Sequence, residues 1–114
     1  MLIYKISDTI VFKALKSIKY GFLEITKIDG EILKFGNPED SLKANLVIKK
    51  SNFSYNLIRG GSVGFAESYM RGDFETDNLS NLIESYHLLK SLFQKLENLR
   101  YYNLLTRVFY LYVF

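Results

Sequence analysis

The first regular pattern along the chain is helical. Apolar side chains recur at three- and four-residue steps over 7–20, which predicts an amphipathic helix with Ser7 or Asp8 as its N-cap and Gly21 at its end. We expect the core-facing side of this helix to consist of Ile10, Val11, Ala14, Leu15 and Ile18.

A strand pattern follows the helix. Residues 22–28 are rich in strand-forming side chains, the pair Asp29-Gly30 is a hairpin signal, and 31–35 supplies the returning strand. Apolar and polar residues then alternate over 42–49, which predicts a third strand with one buried face. Three antiparallel strands flanked by helices indicate an α+β fold, with a mainly antiparallel sheet of three to four strands.

Glycines punctuate the segment after these strands. Ser51 is placed to cap a short helix that ends at 60–61, a second short helix covers 63–70, and Gly72 makes a turn before an extended piece at 73–76. The spacing predicts that the second helix turns one apolar face to the core, formed by Phe65, Ala66, Tyr69 and Met70.

A long amphipathic helix is predicted in the C-terminal part. Thr76 or Asp77 is placed to cap it. Its apolar positions are Leu79, Leu82, Ile83, Tyr86, Leu89, Leu92, Phe93 and Leu96. We therefore expect residues 1–98 to form one α+β domain. Residues 99–114 are expected to be an apolar helical tail, which either begins a linker to a further domain or folds back onto the sheet.

Length and composition narrow the functional classes. A chain of 114 residues is one domain and is too short to hold a nucleotide-binding α/β domain as well. It has no cysteine and one histidine, so we expect no metal site. The N-terminal residues lack a secretory apolar core and no apolar run is long enough to span a bilayer, which predicts a cytoplasmic protein.

Basic residues are concentrated in the N-terminal helix. Residues 1–20 hold four lysines and one aspartate, in a chain whose net charge is +3. Lys13, Lys16 and Lys19 lie around Phe12 on the face opposite the apolar one, which suits a surface of anionic lipid headgroups. This interpretation makes the protein peripheral to the inner face of the membrane. The alternative is a solvated lysine face, with Phe12 packed sideways onto the sheet.

Residues 60–64 contain two short sequences that enzymes and RNA-binding proteins also use. They spell G-x-S-x-G with His87 downstream, but a nucleophile elbow needs a preceding strand and a large, mostly parallel sheet. The G-x-x-G at 61–64 also occurs in KH-type RNA-binding loops, whose surroundings are basic, whereas 51–78 is net negative. We therefore expect no catalytic residue and no nucleic-acid partner, and a phosphate- or RNA-binding loop is the least favoured alternative.

Three acidic residues alternate after Gly72. Asp73, Glu75 and Asp77 have the spacing of calcium ligands, but an EF-hand loop requires glycine where Asn78 stands. An exposed strand edge explains the alternation better than a cation site does.

Residues 61–75 resemble a motif in the N-terminal domain of cyclopropane-fatty-acyl-phospholipid synthases. The stretch reads G-S-V-G-F-A-E-S-Y-M-R-G-D-F-E, and an acidic residue, a leucine and an apolar helix follow it. The family pattern is G-S-x-G-x-x-E-[SA]-Y-[MI]-x-G-x-[WF]-[ED], and Phe74 stands where Trp is usual. The segment 21–30, with its G-x-L-x-I and D-G sequences, is similar to the same domain, so the likeness covers nearly all of 10–100.

The resemblance implies a lipid role. Family members use S-adenosylmethionine to add a methylene group across the cis double bond of a phospholipid acyl chain, through a methyltransferase domain that follows this one. No residues of this chain resemble that domain. The resemblance therefore implies a non-catalytic, lipid-associating front part that has no cofactor of its own and works with the methyltransferase domain or a second copy of itself. Its motif or docking residues would be Gly61, Gly64, Glu67, Tyr69, Gly72 and Phe74.

Simpler structural roles remain open for the same motif. Glu67 would either accept hydrogen bonds from loop amides or pair with Arg71 four residues later. The glycines would serve turns, and three aromatic residues would be core. These are Phe65, Tyr69 and Phe74. A weaker likeness to the sterol-carrier-protein type of fold implies an apolar groove between sheet and helices. A stand-alone lipid-binding module is therefore the main alternative function.

Overall fold

A mixed four-stranded sheet with helices packed on one face forms the body of the protein in the computed structural model, which describes residues 2–87. The elements in chain order are α1 (Leu2–Leu15), β1 (Phe22–Thr26), β2 (Ile32–Gly36), β3 (Lys43–Ile48), α2 (Phe53–Arg71) and β4 (Phe74–Glu75). A third helix, α3, begins at residue 79 and is helical through residue 87. The predicted α+β class is confirmed. The rest of the predicted long helix and the tail at 99–114 lie outside the described residues.

The strand order is β2-β1-β3-β4, and the hairpin at Asp29-Gly30 is confirmed. β1 pairs with β2 in antiparallel fashion and with β3 in parallel fashion, while β4 is antiparallel to β3. The predicted antiparallel arrangement of the first three strands is therefore wrong for β3. Phe22 pairs with both Gly36 and Lys43, so the intervening loop crosses the start of β1 and places β3 on its other side.

Two hydrogen bonds to one glycine hold that crossing loop. The N–H of Asn37 donates to the carbonyl oxygen of Gly21 over 2.9 Å, and the N–H of Gly21 donates to Oδ2 of Asp40 over 2.9 Å. The second carboxylate oxygen of Asp40 accepts from the N–H of Leu42 over 3.3 Å. Asp40 thus ties the start of β1 to the start of β3, which fixes the direction of β3.

The substitution Asp40→Asn should lower stability at neutral pH. Hydrogen bonds from the backbone N–H groups of Gly21 and Leu42 hold the pKa of Asp40 below its ordinary value of 3.8. A carboxyl group with a lowered folded-state pKa stabilises the fold above its unfolded pKa, and this contribution is lost as the pH falls through the folded pKa. The Tm deficit of the variant, followed by circular dichroism, should therefore narrow as the pH is lowered below about 4. A deficit that stays constant with pH would contradict this role.

The N-terminal helix is shifted toward the N-terminus relative to the prediction of 7–20. Its buried residues recur every four positions: Ile3, Ser7, Val11 and Leu15. Ser7 lies inside the helix and not at its cap, and its hydroxyl donates to the carbonyl oxygen of Ile3 over 2.7 Å. The helix ends at Leu15 because the buried stripe ends there, and Gly21 instead adopts φ 81° at the entry to β1.

The N-caps predicted for α2 (Ser51) and for α3 (Thr76 or Asp77) are wrong, because Asn52 and Asn78 occupy these positions. α3 is capped by Asn78, whose Oδ1 accepts from the N–H of Asn81 over 3.0 Å. The hydroxyl of Thr76 donates to the carbonyl oxygen of Asn45 over 2.7 Å and so joins the sheet. α2 follows Asn52, which makes no side-chain capping hydrogen bond.

The core lies between the helices and one face of the sheet. Alternate residues of the strands point toward it, with Leu23 paired to Phe35 and Ile25 paired to Leu46. Its members are Val11, Leu15, Leu23, Ile25, Phe35, Ala44, Leu46, Ile48, Phe53, Phe65, Phe74 and Leu82. The opposite face of the sheet carries polar residues such as Lys34, and none of the helices within 2–87 covers it.

Candidate functional site

α2 contains a corner at Gly61. This residue has φ 55° and ψ −132°, so the helix consists of two arms, 53–60 and 62–71. Gly64 in the second arm is buried against the carbonyl oxygen of Asn56 in the first arm, and a Cβ at position 64 would overlap that oxygen. Residues eight positions apart in a straight helix are separated by about 12 Å along the axis. The contact therefore shows that the second arm turns back toward the first.

The three motif glycines have different roles. Gly61 makes the corner and Gly72 ends the second arm in the left-handed conformation, so the predicted turns are confirmed at both. Gly64 does not make a turn; it permits the close approach of the two arms. At the end of the arm, the N–H of Gly72 donates to the carbonyl oxygen of Tyr69 over 3.1 Å, and the N–H of Asp73 donates to that of Ser68 over 2.8 Å. These two bonds form a Schellman motif.

An ion-pair network follows this helix end. Oδ2 of Asp73, which is 5% exposed, accepts from Nε of Arg71 over 3.1 Å and from Nη2 over 2.9 Å. Nη1 of Arg71 lies 3.6 Å from Oε2 of Glu67, so the predicted Glu67–Arg71 pair is confirmed. The carbonyl oxygen of Asp73 accepts from the N–H of Lys49 over 2.8 Å, which joins the motif to β3. The ion pair between Arg71 and Asp73 was not predicted, because it forms only when the chain turns at Gly72. The spacing of the two residues in the sequence does not indicate it.

The alternating acidic residues are engaged in separate contacts. Asp73 binds Arg71, Glu75 lies 3.8 Å from Nζ of Lys49, and Asp77 accepts from the side chain of Asn45 over 3.2 Å. Within residues 2–87, no group of three or more His, Cys, Asp or Glu side chains is arranged to hold a metal ion.

An aromatic cluster fixes the motif to the sheet. Phe74 is 1% exposed, and its ring centroid lies 5.3 Å from that of Phe53, 5.1 Å from that of Phe65 and 5.8 Å from that of Tyr69. Phe65 also stacks on Tyr86 of α3 with centroids 4.6 Å apart. The predicted core positions of Phe65 and Phe74 are confirmed. The prediction is wrong for Tyr69, which is 43% exposed because it lies at the rim of the cluster.

The inner face of the second arm also differs from the predicted one. Gly64, Phe65 and Ser68 are buried, whereas Met70 and Ala66 are exposed. Gly64 allows the backbone of this arm to approach Asn56 of the first arm, and this contact decides which side of the arm faces inward. The apolar residues on the other side are left at the surface.

The surroundings of Ser62 do not match a nucleophile elbow. A helical arm precedes it, and its hydroxyl lies 3.2 Å from the hydroxyl of Tyr86. His87 is exposed on α3.

The predicted lipid-facing lysines are all exposed. Lys13 lies on α1, and Lys16 and Lys19 follow the end of the helix, so the prediction that one helix face holds all three is wrong. Their side chains make no ion pair with any residue between 2 and 87. Phe12 is half-buried and packs on Phe35, with ring centroids 6.4 Å apart and planes 26° apart. The alternative prediction for Phe12, sideways packing on the sheet, is therefore confirmed.

Two hollows among the described residues bear on the function. The first is a partly open apolar hollow of about 30 Å³, lined by side chains of the helices and of the core face of the sheet. The second is an open cleft of about 260 Å³ beside α1, where Asp8 faces Lys27 and Asp29. Burial raises the pKa of Asp8, and the hydroxyl of Ser54 and the charge of Lys27 partly offset the shift.

Comparisons with protein-family models, curated proteins and solved structures found no match to this chain. The resemblance to the cyclopropane-fatty-acyl-phospholipid synthases therefore stays a prediction. None of the helices within residues 2–87 has the length and apolar character needed to cross a bilayer.

Proposed function

We propose that this chain is a non-catalytic domain that associates with an anionic phospholipid surface, peripheral to the inner face of the membrane. The observation that carries the proposal is the exposure of Lys13, Lys16 and Lys19, none of which is neutralised by an acidic residue within 2–87. The stretch between Asp8 and Glu24 contains no acidic residue at all. A local positive charge of this kind attracts anionic headgroups.

Two lysines elsewhere in the chain form ion pairs with acidic residues. Nζ of Lys27 lies 3.2 Å from Oε2 of Glu31, and Nζ of Lys49 lies 3.8 Å from Oε2 of Glu75. Such pairs contribute little positive potential at a distance, because the two charges largely cancel. The N-terminal lysines lie in a stretch without acidic residues, so they are a favourable place for a lipid surface to meet the protein.

The motif at 61–75 supports the proposal that this chain associates with a lipid-modifying enzyme. By resemblance to the cyclopropane-fatty-acyl-phospholipid synthases, the chain would bring an S-adenosylmethionine-dependent methyltransferase domain or a second copy of itself to the acyl chains. Glu67 and Tyr69 remain partly exposed on the motif, so they are accessible to such a partner. The methylene transfer would take place in the methyltransferase domain.

The two alternative functions receive less support. A stand-alone acyl-chain carrier would need an apolar cavity much larger than the 30 Å³ between the described helices and sheet. A phosphate clamp at 61–64 would need open glycines, whereas Gly64 is buried and Ser62 contacts Tyr86.

A vesicle-binding assay tests the proposal. The triple variant Lys13→Gln, Lys16→Gln, Lys19→Gln should bind phosphatidylcholine vesicles that contain phosphatidylglycerol about a hundredfold more weakly, since each lysine near such a surface contributes about 1 kcal/mol. Cosedimentation measures the partition coefficient.

A second triple variant gives a control with the same change in charge. Lys34, Lys43 and Lys50 are exposed at other places on the surface, and their replacement by Gln should weaken binding much less. Equal losses in both variants would show that net charge alone governs binding, and would reject the proposed surface.

A further inference from the structure

We propose that the second arm of α2 inserts Val63 and Met70 into the acyl region of the bilayer, beside the headgroups that the N-terminal lysines contact. This inference rests on the proposed function, because it names the apolar part of the same membrane-facing side. It concerns residues that the sequence pattern had assigned to the core or had left without a role.

The arm presents its most exposed apolar residues on one line. Val63 is 64% exposed and Met70 is 77% exposed. They are separated by seven positions, so at 100° per residue they lie within about 20° of each other on the helix. Ala66 is also exposed and lies about 60° from Val63 on the same side. Val63, Ala66 and Met70 form an apolar ridge, which we call the α2 ridge, and Glu67 borders it about 40° from Val63.

The α2 ridge points away from the sheet. Phe65 is buried in the core, and Val63 lies about 160° from it around the helix. α1 packs on the same side of the sheet through Val11, and Lys13 lies about 160° from Val11. The ridge and this lysine therefore share the outer surface of the helix layer. A flat membrane on that side can meet both.

Charge on the ridge does not oppose this arrangement. Glu67 is the acidic residue on the outer side of the arm, and Arg71 lies 3.6 Å from it. The apolar side chains are thus bordered by a paired carboxylate, while Lys13 on α1 and Lys16 and Lys19 beyond its end make no ion pair within residues 2–87. Apolar residues next to unpaired lysines are the usual composition of an interfacial membrane surface.

Single tryptophan reporters test the insertion, because the chain has no tryptophan of its own. The variant Met70→Trp places the reporter on the α2 ridge, and Lys34→Trp places a control on the uncovered face of the sheet. With vesicles of phosphatidylcholine and phosphatidylglycerol, the emission of Met70→Trp should shift to the blue and be quenched by brominated acyl chains. The emission of Lys34→Trp should change in neither way.

A loss-of-contact variant gives an independent readout. The double substitution Val63→Ser and Met70→Ser should weaken vesicle binding at least about tenfold, because two exposed side chains lose their transfer to the apolar phase. The loss should persist at high salt, where the lysine contribution is screened. Circular dichroism checks that the fold is unchanged, as expected for exposed positions.

The other outcomes distinguish the inference from the function on which it rests. If the chain cosediments with vesicles but Met70→Trp shows neither shift nor quenching, the inference is wrong and the proposed function stands. A blue-shifted emission of Met70→Trp without vesicles would mean that a second copy or other residues of the chain cover the ridge, and would overturn it. If the chain does not cosediment at all, both the inference and the proposed function fail.

Discussion

Replacement of Phe74 by alanine should destabilise the protein by about 3–5 kcal/mol, the largest effect that we expect from one substitution. Phe74 is 1% exposed, and its ring meets those of Phe53, Phe65 and Tyr69. It is also the point where β4 joins the sheet, through its pairing with Ile48. The loss of the ring leaves a cavity among three aromatic residues that belong to two different helical arms and cannot all collapse into it.

Urea unfolding measures this effect against two further variants. Phe74→Leu keeps an apolar side chain of moderate size and should lose clearly less stability. Met70→Ala changes a neighbouring residue that is 77% exposed, so we expect it to stay within about 0.5 kcal/mol of the parent. A Phe74→Ala variant as stable as Met70→Ala would mean that the motif does not pack on the sheet as described.

The substitution Gly64→Ala should destabilise the protein by about 1–3 kcal/mol or more, although alanine normally favours a helix. The added methyl group would overlap the carbonyl oxygen of Asn56, which is backbone and cannot move independently of the first arm. The two arms must therefore separate, and the contacts of Phe65 in the core weaken with them.

Gly60 offers a matched control in the same helix. A Cβ at Gly60 meets nothing within 4 Å, and its φ is not in the left-handed region. Gly60→Ala should therefore be neutral or should stabilise the protein by up to about 1 kcal/mol, since it restricts the unfolded chain. If Gly60→Ala and Gly64→Ala had the same effect in thermal unfolding, the close approach at Gly64 would be rejected.

Local signals in the sequence were sufficient for several elements of the fold. Asp29-Gly30 marked the hairpin, and Gly72 marked the end of the second arm, because each glycine adopts a positive φ that other residues disfavour. The alternation over 42–49 identified the buried face of β3. These features depend on a few neighbouring residues, so a pattern could reveal them.

Features that depend on distant contacts were not predictable in this way. The direction of β3 follows from the bonds that Gly21 makes with Asn37 and Asp40, which join residues far apart in sequence. The inward side of the second arm follows from the contact between Gly64 and Asn56, which exists only because Gly61 bends the helix. No periodicity within the arm contains that information.

The candidate site shows the same division. The exposure of the N-terminal lysines was predictable from their place opposite an apolar face, although the helix ends before Lys16. The exposure of Met70 was not predictable, because a methionine at helical spacing from Phe65 and Tyr69 indicates a position in the core. Its outward position became evident only from the packing of Ser68 and Gly64 against the rest of the fold.

Cosedimentation of the unaltered 114-residue chain with two kinds of vesicle tests the central claim most directly. The vesicles consist of phosphatidylcholine alone or of phosphatidylcholine with phosphatidylglycerol, at low salt. We expect strong binding to the anionic vesicles and much weaker binding to the neutral ones, because the proposed membrane-facing side carries three exposed lysines that make no ion pair within residues 2–87. Failure to bind the anionic vesicles, or equal binding to both kinds, would contradict the central claim.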